Sequence, residues 1–182
     1  MLSNWTLRSR DRSGQALVES MFVAMILLVM LFGMIDFCRA ISTRQVLINL
    51  SREGANMAAR GAGDTGEKIT NAVNAVKAAA SPLSIDSNGQ VIVTAVLNSN
   101  GVYRITDQLS AGKLTYDSKI GKLSIPLAVT MPIAASSVGA LPQSNQTAFV
   151  AEVFYAFKPT TPIGNLINIS MTNGPLYDVA YF

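Results

Sequence analysis

The first hundred residues change their hydrophobic period twice. Ala16 to Ile35 is apolar at every turn except for one carboxylate, Glu19. Those twenty residues predict a helix of about 30 Å, the hydrocarbon thickness of a bilayer. Past Asp36 the pattern turns amphipathic without a break. Ile41, Leu47, Ile48 and Leu50 continue a helical period, and no proline falls between Asp36 and Arg60. Leu47, Ser51, Gly54, Ala58 and Gly61 recur at steps of three and four and predict a narrow face of small residues. Such a face lets a second backbone approach closely. A helix over 15–60 would be about 70 Å long, and Gly61-Ala62-Gly63 ends it.

A second helix is predicted from Asp64. Asp64 is its N-cap, Glu67 stands three residues on, and Ile69, Val73, Val76 and Ala80 form one apolar stripe. Ser81-Pro82 ends it. From Val91 the period is that of strands. Val91–Leu97 and Val102–Thr106 flank the turn Asn98-Ser99-Asn100-Gly101 and predict a hairpin. Lys113–Tyr116 and Leu123–Met131 are further candidate strands. In the second, Pro126 implies an edge or a bulge. Pro132–Gln146 predicts a loop. Thr147–Phe157 is the strongest strand. Phe149, Ala151, Val153, Tyr155 and Phe157 share one face, Val150, Glu152 and Phe154 the other, and both faces predict cover. Leu166–Met171 and Leu176–Phe182 complete the set. The fold class expected is α+β: a long N-terminal helix, then a small domain with a short helix and an antiparallel sheet.

Composition sharpens this picture. Of the 182 residues 49% are hydrophobic and only 14% charged, with a mean hydropathy of +0.33, against about 25% charged in a soluble domain. The net charge of +3 and pI near 9.2 come from scattered cations, with no basic patch interleaved with aromatics, so nucleic acid is not expected as a partner. There is no histidine, which removes the commonest general base and metal ligand. Cys38 is the single cysteine, which excludes an intrachain disulfide and a cysteine-cluster metal site. Asp86-Ser87-Asn88-Gly89 has the start of a calcium loop without its later glutamate and is read as a turn. No catalytic constellation, metal site or cofactor is expected, and the chain is not read as an enzyme.

The leader Met1–Ser13 carries Arg8, Arg10 and Arg12. These cations favour a cytoplasmic N-terminus and an exported C-terminal part, while Arg39, Arg44 and Arg52 pull the other way. A cleaved secretory signal would share the basic start. The apolar block is longer than such a signal needs, and Asp36-Phe37-Cys38-Arg39 offers no small-residue cleavage site. The bulky, charged approach to Cys38 also argues against a lipoprotein. Glu19 needs either solvent or a cation, because a lone carboxylate in lipid costs several kcal/mol. No cation lies nearby in the block, so its partner would come from another molecule.

A glutamate five residues after Gly14, behind a basic leader and ahead of an apolar helix, resembles the class III signal of type IV pilins. That resemblance implies a prepilin peptidase cutting between Gly14 and Gln15, with Glu19 neutralising the new α-amino group of a neighbouring subunit. Further along, Gly33-Met34-Ile35-Asp36-Phe37-Cys38-Arg39-Ala40, then Gln45-Val46-Leu47, Ser51-Arg52-Glu53-Gly54-Ala55 and Ala58-Ala59-Arg60 resemble the TadE-like family, minor pseudopilins of the tight-adherence (Tad/Flp) pilus. Ser51 and Asn56 replace the first Ala and last Arg of its "AREGAR" segment, and Ser20 stands where Flp-type pilins carry an aromatic.

The resemblance implies a leader over 1–14, a pilin-like helix over 15–60 with its transmembrane part at 16–35, and an extracytoplasmic domain over 64–182. It implies a single-pass inner-membrane protein that helps initiate, prime or cap a Tad-type adhesive pilus. Its partners would be other pilins through the helix, the prepilin peptidase, the pilus assembly platform and the lipid membrane. Leu47, Ser51, Gly54 and Ala58 would be helix-packing positions. The alternative from the residues alone is a permanently anchored extracytoplasmic binding domain with no filament role.

Overall fold

The computed structural model describes residues 10–123, 142–162 and 174–182. Helix α1 runs Arg10–Arg60, α2 Thr65–Ala79 and α3 Ile85–Asn88; strands β1 Gly89–Ser99, β2 Val102–Gly112, β3 Thr147–Tyr155 and β4 Leu176–Tyr181 follow. The class is α+β, as expected. The described residues 10–39 and 159–162 belong to one compact unit; residues 40–123, 142–158 and 174–182 belong to a second.

In the second unit the four strands form one antiparallel sheet in the order β2-β1-β3-β4. The β1–β2 turn is the two-residue loop Asn100-Gly101, with φ of 53° and 86°. Both values are left-handed, the geometry that matches the twist of paired strands. The Asn98 side chain accepts from the Gly101 amide at 2.8 Å and locks the turn. β2 extends past the expected Thr106 to Gly112, and a bulge interrupts its register between Ala95 and Val96 of β1.

One face of the sheet carries Val91, Val93, Ala95, Phe149, Ala151, Val153 and Ala180. It packs against Leu47, Leu50, Ala55 and Ala58 of α1 and Ile69, Ala72, Val73 and Val76 of α2, all buried. The expected stripe of α2 is thus its core face. Asp64 caps α2 as expected, its Oδ1 accepting from the Glu67 amide at 2.7 Å.

Two expectations need correction, and three fall wholly or mostly outside the described residues. Lys113–Tyr116 is not a strand. The amides of Lys113 and Leu114 both donate to the Gly89 carbonyl, at 3.0 and 3.1 Å. The Tyr116 amide donates to the Gln90 side chain at 2.7 Å, so this segment begins a strap across the sheet instead of joining its ladder. Asp86-Ser87-Asn88-Gly89 is not a simple turn, because its first three residues lie in α3. The candidate strand Leu166–Met171 and most of Leu123–Met131 and Pro132–Gln146 lie outside the described residues.

Candidate functional site

Helix α1 holds every residue singled out as a site. In its first unit, the helix exposes Leu17, Met21, Phe22, Met25, Ile26, Leu27, Met30 and Leu31, side chains that face every direction around the axis. Full burial of one such side chain is worth about 1.5–3 kcal/mol. This surface therefore calls for an apolar medium. Among the described residues one helix is long and apolar enough to cross a membrane: Gly14–Arg60, with a mean hydropathy of 2.5 in an 18-residue window.

Gly14, Gln15 and Glu19 lie on the exposed helix. Among the described residues Glu19 forms no ion pair. Ser20 Oγ donates to the Leu17 carbonyl at 2.8 Å. A back-bonded serine has its polar demand met inside the helix, so Ser20 fits an apolar environment as an aromatic would.

Asp36 makes a contact that the sequence did not reveal. Its Oδ1 accepts from the amides of Thr160 and Thr161, at 3.0 and 3.3 Å, and its Oδ2 from Thr161 Oγ1 at 2.5 Å. The pattern resembles a charged acceptor capping two backbone donors.

The small-residue face of α1 belongs to the second unit. Leu47 is 1% exposed, Ser51 and Ala58 0%, and Gly54 is buried. A Cβ on Gly54 would meet Val76 Cγ2 at 2.7 Å and Ala151 Cβ at 3.2 Å. The groups that approach Gly54 are side chains of α2 and β3 in the same chain. Ser51 Oγ donates to Asp178 Oδ2 on β4. Arg52 and Glu53, between them, are exposed.

The opposite face of the sheet is covered by the strap 113–123 and is unusually polar. Glu152, 0% exposed, accepts from Ser118 Oγ, from the Lys119 amide at 2.9 Å and from Tyr177 Oη at 2.9 Å. Gln90 donates to Ser110 Oγ at 2.9 Å and the Tyr116 carbonyl at 3.1 Å. Gln108 donates to Thr94 Oγ1 at 2.9 Å and the Gly121 carbonyl at 3.0 Å. Phe154 stacks between Tyr116 and Tyr177, with centroids 5.5 and 4.9 Å away, and Lys119 Nζ lies 3.5 Å from the Tyr177 ring centre. Burial, then the Glu152 charge, push the Tyr181 phenol up to about 12. The same causes, with the Glu152 hydrogen bond, raise Tyr177 further. Every partner named here is another group of the fold, and the cluster holds the strap.

Among the described residues, one N-terminal helix with an exposed apolar first part fits a single-pass membrane protein. Residues 14–56 match the family model described as TadE-like protein. The resemblance read from the residues is therefore shown over that segment, which includes Gly14, Glu19, Asp36, Ser51 and Gly54. The match covers less than half of the chain. No curated protein and no solved structure matches the chain.

Proposed function

We propose that this chain is a minor pseudopilin that helps initiate, prime or cap a Tad-type pilus at the inner membrane. Its N-terminus faces the cytoplasm and its sheet domain the extracytoplasmic side. A prepilin peptidase removes the leader between Gly14 and Gln15. The new ammonium of one subunit then pairs with Glu19 of a neighbour. Each charge cancels much of the other's desolvation penalty, which for a lone ion in an apolar medium amounts to several kcal/mol. The partners are other pilins, the peptidase and the assembly platform.

The observation that carries this reading is the family match over 14–56, on a helix whose apolar side chains are exposed all round and whose lone carboxylate follows Gly14 by five residues. Partners in the membrane are expected along 16–35, because the face formed by Leu47, Ser51, Gly54 and Ala58 is already occupied within the chain. Intact-mass and N-terminal analysis in cells with the prepilin peptidase tests the reading. A mature chain beginning at Gln15 is expected, and retention of Met1 overturns the processing step.

A further inference from the structure

Asp36 is the first charged residue after the apolar stretch that ends at Ile35. Its carboxylate is filled by donors from one place, more than a hundred residues downstream. That place is Pro159-Thr160-Thr161-Pro162. Proline has no amide hydrogen, so the tetrapeptide owns two backbone donors, and both go to Asp36 Oδ1. The Thr161 hydroxyl adds the third bond, on Oδ2, and Thr161 is only 7% exposed. Hydrogen bonds to an ionised acceptor are about twice as strong as neutral ones. The flanking prolines restrict φ and lower the entropy lost when the segment is held.

We propose that Asp36 is a positioning residue that pins Pro159–Pro162 to α1 where the helix leaves the lipid, so that this segment rides at headgroup level. The level rests on the membrane reading above; the pinning does not. The acidic residue of the Asp36-Phe37-Cys38-Arg39 step thereby gains a task separate from processing and from Glu19. It ties a late part of the chain to the exit point of the first helix.

The test is amide exchange on the full chain in lipid nanodiscs. In the wild type the Thr160 and Thr161 amides exchange slowly. In Asp36→Ala they exchange faster by at least about tenfold, while Val93 and Val153 in the sheet keep their rates. Thr161→Val removes one bond of three and gives a smaller rise. Asp36→Glu retains the charge and recovers part of the protection. Equal exchange at Thr160 and Thr161 in wild type and Asp36→Ala overturns the pinning, and so does a rise that spreads equally to the sheet. A nitroxide on the lipid headgroup broadens the Thr160 and Thr161 signals in the wild type; no broadening overturns the headgroup level. Carbonate extraction reads insertion independently. Its failure removes the membrane reading and the level together, and leaves the exchange result on the pinning intact.

Discussion

The Tyr177 hydroxyl donates to Glu152 Oε1 at 2.9 Å across the β3–β4 pair, on the face of the sheet away from α1. The carboxylate also receives the Lys119 amide and the Ser118 hydroxyl. A fully buried carboxylate is thus held by three donors, two of which belong to the strap. Truncation leaves those donors without an acceptor. Glu152→Ala is expected to cost about 2–4 kcal/mol, read as a lower urea midpoint of the full chain in detergent. Glu152→Gln, which keeps an acceptor for Tyr177, costs less.

The two tyrosines give the domain an alkaline limit. Their folded pKa values lie above the unfolded value of about 10, Tyr181 at about 12 and Tyr177 higher. The fold therefore favours the protonated phenols. Their contribution is complete below about pH 10 and is lost as pH rises towards 12. Thermal midpoints should be level up to pH about 10 and fall above it. Ultraviolet titration should show the Tyr177 and Tyr181 phenols ionising above the ordinary value of about 10, and Glu152→Gln should bring both down.

Gly54 is fixed by space. Alanine there gains up to about 1 kcal/mol of helix propensity but puts a methyl 2.7 Å from Val76 Cγ2. Val76 is 0% exposed and β-branched, so it yields little and the clash wins. Gly54→Ala is expected to destabilise by about 1–2 kcal/mol and Gly54→Val by more. Gly33→Ala is the control, since nothing lies within 4 Å of its added carbon. Chemical denaturation of the three variants checks the order.

On the proposed reading, a substitution at Glu19 separates insertion from assembly. Glu19→Val removes the one charge of the apolar stretch, so carbonate-resistant insertion is retained. Piliation, counted by electron microscopy, is expected to be lost. Normal pilus numbers would remove the pairing role.

The periodic parts of the fold were legible from sequence. The apolar run before Asp36, the stripe Ile69-Val73-Val76-Ala80 and the alternation of Phe149 to Tyr155 each impose their own period. The end of β2 was not legible, because Asp107 to Gly112 lies on an edge whose side chains are mostly half-buried or exposed. Lys113–Tyr116 has strand composition, yet its hydrogen bonds go to Gly89 and the Gln90 side chain. The polar links were hidden for a different reason. Ser51 meets Asp178 and Asp36 meets Thr161 over more than a hundred residues, and no local pattern marks either partner. The small-residue face was visible, but composition does not distinguish a neighbour in the same chain from one in another.

The closed state of the sheet has a consequence for how such a chain can diversify. β1 and β3 are covered on both faces, by helices on one and a strap on the other. Within the proposed filament, the joint and the cargo are then different parts of the molecule. The joint is a stretch of helix whose chemistry is nearly uniform and tolerates few charges. The cargo is a sealed module, and exposed positions of its edge strand β2, such as Val102 and Arg104, can vary without altering the fit between subunits.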